Sequence, residues 1–160
     1  MGTLVLGCQS QSSSDAVASL REALYIPHFH GELQPQVDST WTRRDLVYER
    51  VRFQGRYRDW IPALVCYSEL GRNRPLPAVL CMPGSPNRKE DLLRPLDLLS
   101  RWAEAGFFVL SIDRPYHGER SGDLNSAVYS KGLAKVWGEY VYDLIQTLDY
   151  MESRAEVNAD

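Results

Sequence analysis

The clearest hydrophobic pattern of the chain lies between residues 133 and 151. Apolar residues recur there at steps of three and four over about five helical turns, at Leu133, Val136, Trp137, Tyr140, Val141, Leu144, Ile145, Leu148 and Met151. This spacing predicts a long amphipathic helix. Because an apolar stripe of that width needs an apolar surface opposite it, we expect the helix to lie on a β-sheet.

Alternating polarity predicts two strands in the first half of the chain. In LVYERVRFQG (46–55), apolar and charged residues alternate, with Glu49 as an exception on the apolar face. This pattern is typical of a half-buried strand. IPALVCYS (61–68) predicts a second strand, and Gly55 with the RYRDW that follows it predicts a turn. We therefore expect an antiparallel hairpin.

Two short apolar runs, LPAVLCMP (76–83) and FFVLSID (107–113), enclose a helical pattern. Continuously apolar runs of this length indicate strands that are buried on both faces. Between them, Pro95 is expected in the first turn of a helix and Gly106 just after its end. The helix would carry Leu92, Leu96, Leu99 and Ala103 on one face. The order strand, helix, strand predicts a parallel βαβ unit with a right-handed crossover, and so an α/β fold.

The beginning of the chain carries weaker patterns. Residues 1–14 are low in complexity and are expected to form a flexible leader, and residues 15–160 one domain. A short helix is expected to begin at Ser14 or Asp15. Residues 28–45 show no period and are expected to form a connecting loop.

Composition and charge exclude several classes of protein. The chain has 160 residues, 44% of them apolar, and a net charge of -3. This favours one soluble domain and argues against a nucleic acid or an anionic membrane as partner. Six arginines between residues 43 and 58 come closest to a basic patch: Arg43, Arg44, Arg50, Arg52, Arg56 and Arg58. We interpret them as the solvated face of a strand pair, and the alternative is a phosphate-binding patch. No segment reaches the roughly 20 apolar residues that a membrane-spanning helix needs.

The three cysteines, Cys8, Cys66 and Cys81, indicate a reducing compartment. Their number is odd and their spacing is not that of a metal site, so neither a disulfide framework nor zinc is predicted. A cytoplasmic location fits best. The alternative is a bacterial lipoprotein lipidated at Cys8, because LVLGCQSQSSSD is similar to the end of such a signal. Only seven residues precede Cys8, so this alternative requires a start further upstream.

Two loops after the apolar strands are candidate sites, because ligands of open α/β sheets bind beyond the carboxyl ends of the strands. In MPGSPNRKED, Gly84 and Ser85 stand where the backbone leaves the strand, so that free amides there could face an oxyanion. The alternative is a simple turn. His28 and His30 could meet Asp113 or His117 of the second loop, but no further ligand is evident. We expect no metal and no cofactor.

The second loop carries a family resemblance. AGFFVLSIDRPYHGERSG is similar to a segment of α/β-hydrolases in which a glycine and an apolar strand precede D-x-x-G-H-G-x-S. With the hairpin, AVLCMPGS and the long helix, the chain resembles the N-terminal half of such an enzyme, most closely in the dienelactone hydrolase and acetyl-xylan-esterase group. Two positions depart from the pattern. Tyr116 replaces a common glycine, and Arg120 stands where a serine is usual, with Ser121 one place later.

The resemblance implies roles for several residues. The family's helix leads into a strand and then into the G-x-S-x-G nucleophile elbow, and its acid and histidine follow later in the chain. All three would lie beyond Asp160. This chain would then contribute the Ser85 amide to an oxyanion hole, while His117 would shape the loop and not act as the base. Asp113 and Ser121 flank His117 and could hydrogen-bond loop amides.

The resemblance also implies the strand order 1-2-4-3 for the four predicted strands, with a fifth adding beside the third. The fourth strand would then separate Cys66 from Cys81 too widely for a disulfide. AVLCM would be an open, uncharged edge that could support self-association. The expected function is therefore the N-terminal segment of a serine-type carboxylic-ester hydrolase. This segment is expected to be inactive alone, and the complete enzyme is expected to act on a small-molecule ester. The competing hypothesis is a small self-contained α/β binding domain without catalysis.

Overall fold

The computed structural model of the chain describes residues 13–29, 31–69, 73–94, 96–120 and 122–159. Residues 1–12 of the expected leader, including Cys8, lie outside this part. The last two residues of the leader, Ser13 and Ser14, belong to a helix. None of the helices within it is long and apolar enough to cross a membrane.

Helices and strands follow one another in a mixed α/β order. In the first half they are α1 (Ser13–Ala23), β1 (Gln36–Arg43), β2 (Leu46–Gln54) and β3 (Trp60–Ser68). In the second half they are β4 (Ala78–Cys81), α2 (Leu98–Glu104), β5 (Phe108–Ile112), α3 (Leu124–Lys131) and α4 (Leu133–Glu152). Short 3-10 helices occupy Arg56–Arg58 and Lys89–Leu92.

The five strands form one sheet in the order β1-β2-β3-β5-β4. β2 and β3 pair antiparallel from Leu46 opposite Ser68 to Gln54 opposite Trp60, which confirms the predicted hairpin. β4 and β5 pair parallel, with Ala78 opposite Phe108, and α2 connects them, as predicted for the βαβ unit. The order 1-2-4-3 expected for the four predicted strands is thus confirmed.

Both faces of the sheet are covered by helices. On one face, Phe53 of β2 stacks on Tyr150 of α4 with ring centroids 4.7 Å apart. On the other, Leu64 and Val109 pack in one cluster with Leu99 of α2, and all three are almost fully buried. Alternate residues of the inner strands therefore serve two hydrophobic cores, which explains why β5 is buried throughout and apolar except for Ser111.

Glu49, the polar exception on the apolar face of β2, is buried together with its partners. Its carboxylate accepts hydrogen bonds from Arg154 at 2.7 Å and from the Tyr67 hydroxyl at 2.9 Å. A buried charge is tolerated when it is paired in this way. The contact also fixes the end of α4 against the sheet.

The loop expected over residues 28–45 is wrong for Gln36–Arg43, which form β1. β1 is an edge strand in which Trp41 is half-buried and all other residues are exposed. The hydrophobic alternation that marks a strand is therefore missing. Trp41 stacks on Tyr48 of β2, with ring centroids 5.4 Å apart. α3 was also not predicted, because Ala127 is its only buried residue.

The predicted helix between the parallel strands begins later than expected. α2 starts at Leu98, after Asp97, whereas Pro95 lies outside the described residues. Leu92 and Leu96, which were expected on this helix, both precede it, and Leu92 belongs to the 3-10 helix Lys89–Leu92. Gly106 follows the end of α2 with φ at +93°, as predicted for a residue that ends a helix in the left-handed region.

Candidate active-site loops

Two loops meet at one edge of the sheet because β4 and β5 are parallel neighbours. We call residues 82–88 the β4 loop and residues 113–120 the β5 loop. The carboxyl ends of parallel strands lie at the same edge, where ligands of α/β sheets bind. Of the predicted site residues, Gly84 and Ser85 lie in the β4 loop, and Asp113 and His117 lie in the β5 loop. Ser121 is outside the described residues.

Asp113 joins the two loops. Its side chain is fully buried and accepts hydrogen bonds from the Lys89 amide at 2.9 Å, the Lys89 ammonium at 2.7 Å and the Glu119 amide at 3.0 Å. Lys89 follows the β4 loop and is itself only 1% exposed. Burial would lower the pKa of Lys89, but hydrogen bonds from its ammonium to Asp113 and Glu119 outweigh burial and raise it. The lysine therefore stays charged and holds the start of the β5 loop against the end of the β4 loop.

Gly118 is required by the close approach of the Asp113 carboxylate. A Cβ at residue 118 would lie 2.2 to 2.3 Å from its atoms, and the backbone there has φ at +58°. Only glycine fits both conditions without strain. The loop therefore wraps directly around the carboxylate.

Tyr116 occupies the left-handed backbone region, with φ at +66°. This is the position where the resembling family commonly has glycine, and a tyrosine there is strained. The Tyr116 hydroxyl donates a hydrogen bond to Glu139 of α4 and accepts one from Lys131 of α3 at 2.8 Å. These contacts hold the strained residue against the helices.

His117 contacts a serine. Its Nε2 lies 3.3 Å from the Ser85 hydroxyl, and its Nδ1 lies 2.9 Å from the Pro115 carbonyl oxygen. A carbonyl can only accept, so Nδ1 carries the proton and Nε2 is the acceptor for the Ser85 hydroxyl. A hydrogen bond of this kind suits a loop-shaping histidine and equally a base that faces a hydroxyl.

The backbone amides of Gly84 and Ser85 are free within the described part of the chain. None of its residues accepts a hydrogen bond from either amide, and both residues are exposed. The loop is nevertheless ordered by a turn in which the Asn87 amide donates to the Gly84 carbonyl at 2.7 Å. Free amides on a fixed loop are the donors that an oxyanion hole uses.

Arg120 ties the β5 loop to α4. Its guanidinium donates to the buried Asp143 carboxylate at 2.8 Å and lies 3.7 Å from Asp59. Burial raises the pKa of Asp143 to about 6, although the Arg120 charge opposes this. An arginine thus takes a tethering position where the resembling family usually has a serine.

A cleft of about 530 Å³ lies beside the β5 loop, between the ends of β2 and β3 and helix α4. It is lined mainly by charged residues, among them Arg50, Lys89, Arg120 and Asp143. These charges pair within the cleft, since Lys89 contacts Glu119 and Arg120 contacts Asp143. Ser85 and His117 do not line it. We therefore place the candidate chemistry at the two loops and not in the cleft.

β4 is the last strand of the sheet in the part of the chain that the structure describes. Beside its start, the segment after α4 returns and forms a parallel bridge between Leu76 and Val157. The Leu76 amide donates to the Glu156 carbonyl, and the Asn158 amide to the Leu76 carbonyl, each at 2.8 Å. No described residue pairs with Ala78–Cys81 on the side away from β5. Chain that leaves α4 thus aligns parallel with the open edge.

Sequence reasoning missed Lys89, which connects the loops. NRKED is a charged run, and such runs usually indicate a solvated surface. The buried partner, Asp113, follows an apolar strand directly, and this was the one available signal that a cation would be needed nearby. Cys66 and Cys81 are both free and lie on strands separated by β5, in agreement with the expected strand order. His30 lies outside the described residues.

Comparisons with known proteins define the fold. Over 89% of the chain, the structure matches a proposed acetyl xylan esterase of Bacteroides fragilis, with a TM-score of 0.72 and 22% identity. Acetyl xylan esterases from Paenibacillus sp. R4 and from Thermoanaerobacterium sp. match over 91% and 90% of the chain, with TM-scores of 0.63 and 0.66 and identities of 20% and 16%. The described residues therefore have the fold of part of an α/β-hydrolase, and the resemblance predicted from the sequence is confirmed for the fold.

The matches also show that the chain spans less than half of these proteins. It covers 43% of the Bacteroides chain and 47% of each of the other two. In sequence, a stretch of 73 residues is 33% identical to the proposed hydrolase YtaP of Bacillus subtilis. This stretch covers 44% of this chain and 24% of that protein. No family model matches the chain.

Proposed function

We propose that the chain is the N-terminal segment of a serine-type carboxylic-ester hydrolase and contributes the oxyanion-hole loop. The observation that carries this proposal is the exposed, free amide of Ser85 at the carboxyl end of β4, beside an open strand edge. In an α/β-hydrolase the nucleophile elbow follows the strand that adds at that edge. The Ser85 amide would then point toward the developing oxyanion of the substrate.

The bridge between Leu76 and Val157 supports the same arrangement. It sets a parallel direction for the chain that follows α4, and it does so at the start of β4. A parallel strand reached through a helix is the usual crossover of an α/β sheet. A strand that continued this pairing would end beside the β4 loop, and a serine on the following turn would lie close to Ser85.

The 160 residues contain no G-x-S-x-G. In the proposed enzyme the nucleophile, the acid and the catalytic histidine belong to later residues, so this segment alone does not turn over esters. The substrate of the whole enzyme is a small carboxylic ester, and no cofactor or nucleic acid takes part. The cysteine usage favours the cytoplasm, with lipidation of Cys8 as the alternative.

The open edge of β4 also gives the isolated chain a route to self-association. Val79, Leu80 and Cys81 are half-buried and uncharged, and Pro77 precedes the strand. Charges and bulges are what natural edges use against pairing. We therefore expect concentration-dependent dimers or aggregates when the edge has no partner.

The source locus past the codon for Asp160 gives the first test. We expect a strand and a G-x-S-x-G directly downstream. An unrelated sequence there, together with a cooperatively unfolding monomer, would instead support the self-contained binding domain. In a longer protein that carries the motif, Ser85→Pro removes the amide hydrogen and should lower kcat for p-nitrophenyl acetate by roughly 100- to 1,000-fold. Ser85→Ala keeps the amide and is the matched control, with a kcat close to that of the unmodified protein.

A further inference from the structure

Ser85 meets His117 in a geometry that the proposed function does not use. We propose that the Ser85 hydroxyl is an activated nucleophile, with His117 as its base, that accepts one acyl or phosphonyl group from an activated ester or fluorophosphonate. The oxyanion role rests on the Ser85 amide, whereas this activity rests on the Ser85 side chain. The two proposals are therefore independent of each other.

Three groups stand in the order that nucleophilic catalysis requires. The Ser85 hydroxyl is 3.3 Å from His117 Nε2, and the opposite ring nitrogen is 2.9 Å from the Pro115 carbonyl oxygen. The carbonyl fixes the tautomer that leaves Nε2 free to accept the serine proton. A nucleophile within reach of a base that a third group orients is the recurring pattern of activated serines, and such contacts are often long before substrate binds.

The arrangement is held by buried contacts and remains open to substrate. Lys89 and Asp113 tie the two loops together through the buried pair described above. The pair holds the loop that carries Ser85 against the loop that carries His117. Ser85 is exposed, so that an ester can reach its hydroxyl without a conformational change.

The reaction balances with the residues present. Ser85 Oγ attacks the carbonyl carbon of p-nitrophenyl acetate while His117 Nε2 takes the hydroxyl proton. The new O–C bond forms, the aryl ester C–O bond breaks and p-nitrophenolate leaves; the proton on Nε2 passes to solvent. With a fluorophosphonate, the Oγ–P bond forms and fluoride leaves. No oxidant, reductant or metal is needed.

We expect a single acylation and not turnover. A neutral carbonyl stabilises an imidazolium less than the carboxylate of a complete triad does, and loss of that carboxylate function costs about 10,000-fold in kcat. p-Nitrophenolate leaves far more readily than a serine alkoxide, so acylation outruns hydrolysis of the acyl group. The acyl group should therefore accumulate on Ser85.

The test is labelling of the 160-residue chain with a fluorophosphonate, followed by intact mass and peptide mapping. We expect one adduct per chain, on Ser85, formed much faster than in the same chain unfolded in urea. Ser85→Ala should lose the label, and Ser126→Ala, which removes an exposed serine of α3, should keep it. His117→Ala should slow labelling by about 100-fold or more, the usual contribution of a positioned base.

His117→Asn is the second variant, because its side-chain amide can still donate to the Pro115 carbonyl while it offers no basic nitrogen. Circular dichroism establishes that each variant is folded. Slow labelling of folded His117→Asn supports the proposal. Labelling of this variant at the rate of the unmodified chain, an adduct on another residue, or a native rate equal to that of the unfolded chain would each overturn it.

Discussion

Replacing Asp113 by asparagine tests the contact that joins the two loops. The substitution keeps the size of the side chain but leaves only one oxygen. In Asp113, both carboxylate oxygens accept hydrogen bonds from Lys89 or Glu119. The new amide NH2 faces a donor. Lys89, which is 1% exposed, also loses its closest buried negative charge.

The expected loss follows from the burial of this pair. Removing one partner of a buried ion pair costs about 3 to 5 kcal/mol, since the other charge is left without compensation. Lys89 keeps contacts with Glu119 and Glu90, so we expect the lower end, about 3 kcal/mol. At an m-value of about 2 kcal/mol/M, the urea midpoint should fall by about 1.5 M.

Urea unfolding followed by far-UV circular dichroism measures this change. Asp123→Asn is the matched control: Asp123 caps α3 by accepting a hydrogen bond from the Ser126 amide at 2.8 Å, and asparagine caps a helix about equally well. We expect the control to leave the urea midpoint close to that of the unmodified chain. A loss of less than about 1 kcal/mol for Asp113→Asn, or no difference from the control, would refute the inferred contact.

Three further predictions use other described residues. Gly118→Ala drives a Cβ into the Asp113 carboxylate and should cost more than about 2 kcal/mol in urea unfolding, whereas Gly84→Ala, whose Cβ meets nothing within 4 Å, should be nearly neutral; equal effects would contradict the loop geometry. The pKa of Asp143 is about 6 in the fold against 3.8 as its ordinary value, so this group stabilises the fold at low pH and that contribution, about 3 kcal/mol, is lost as the pH rises from 4 to 7. The pH profile of Asp143→Asn should lack this loss, so that it differs from the profile of the unmodified chain by this component; superimposable profiles would exclude it. Val79→Lys should charge the open edge and lower self-association in sedimentation velocity; unchanged association would place the contact elsewhere.

The sequence predicted those elements that bury one face or both. β2, β3 and β5 carry strong hydrophobic patterns because they form the two cores, and the parallel pairing of β4 with β5 followed from the order strand, helix, strand. The apolar stripe correctly predicted α4 as a helix but not which of its faces is buried. Leu133, Trp137 and Leu148 of that stripe are at least half exposed, whereas Asp143, Gln146 and Thr147 are buried. β1 and α3 bury almost nothing, so their residues carry no comparable period. For β1, Val37, Thr40 and Trp41 gave the remaining signal, since such residues favour strands even at an exposed edge.

The candidate site was predictable in its location but not in its contacts. Loops after parallel strands are where such sites lie, which pointed to Ser85 and His117. Their mutual hydrogen bond joins residues 32 positions apart in the sequence and depends on how two loops turn. Lys89 and Asp113, 24 positions apart, are linked in the same way. Spacing along a single chain carries no information about such pairs.

The bridge between Leu76 and Val157 makes the carboxyl end of the chain an intramolecular tether. A peptide fused after Asp160 would be delivered to the edge of β4 at an effective concentration in the millimolar range, as for short linkers in general. The same peptide added in trans would have to reach that concentration in solution. A series of fused peptides of increasing length would thus show at which length a strand pairs with β4, because that pairing would stabilise the fold.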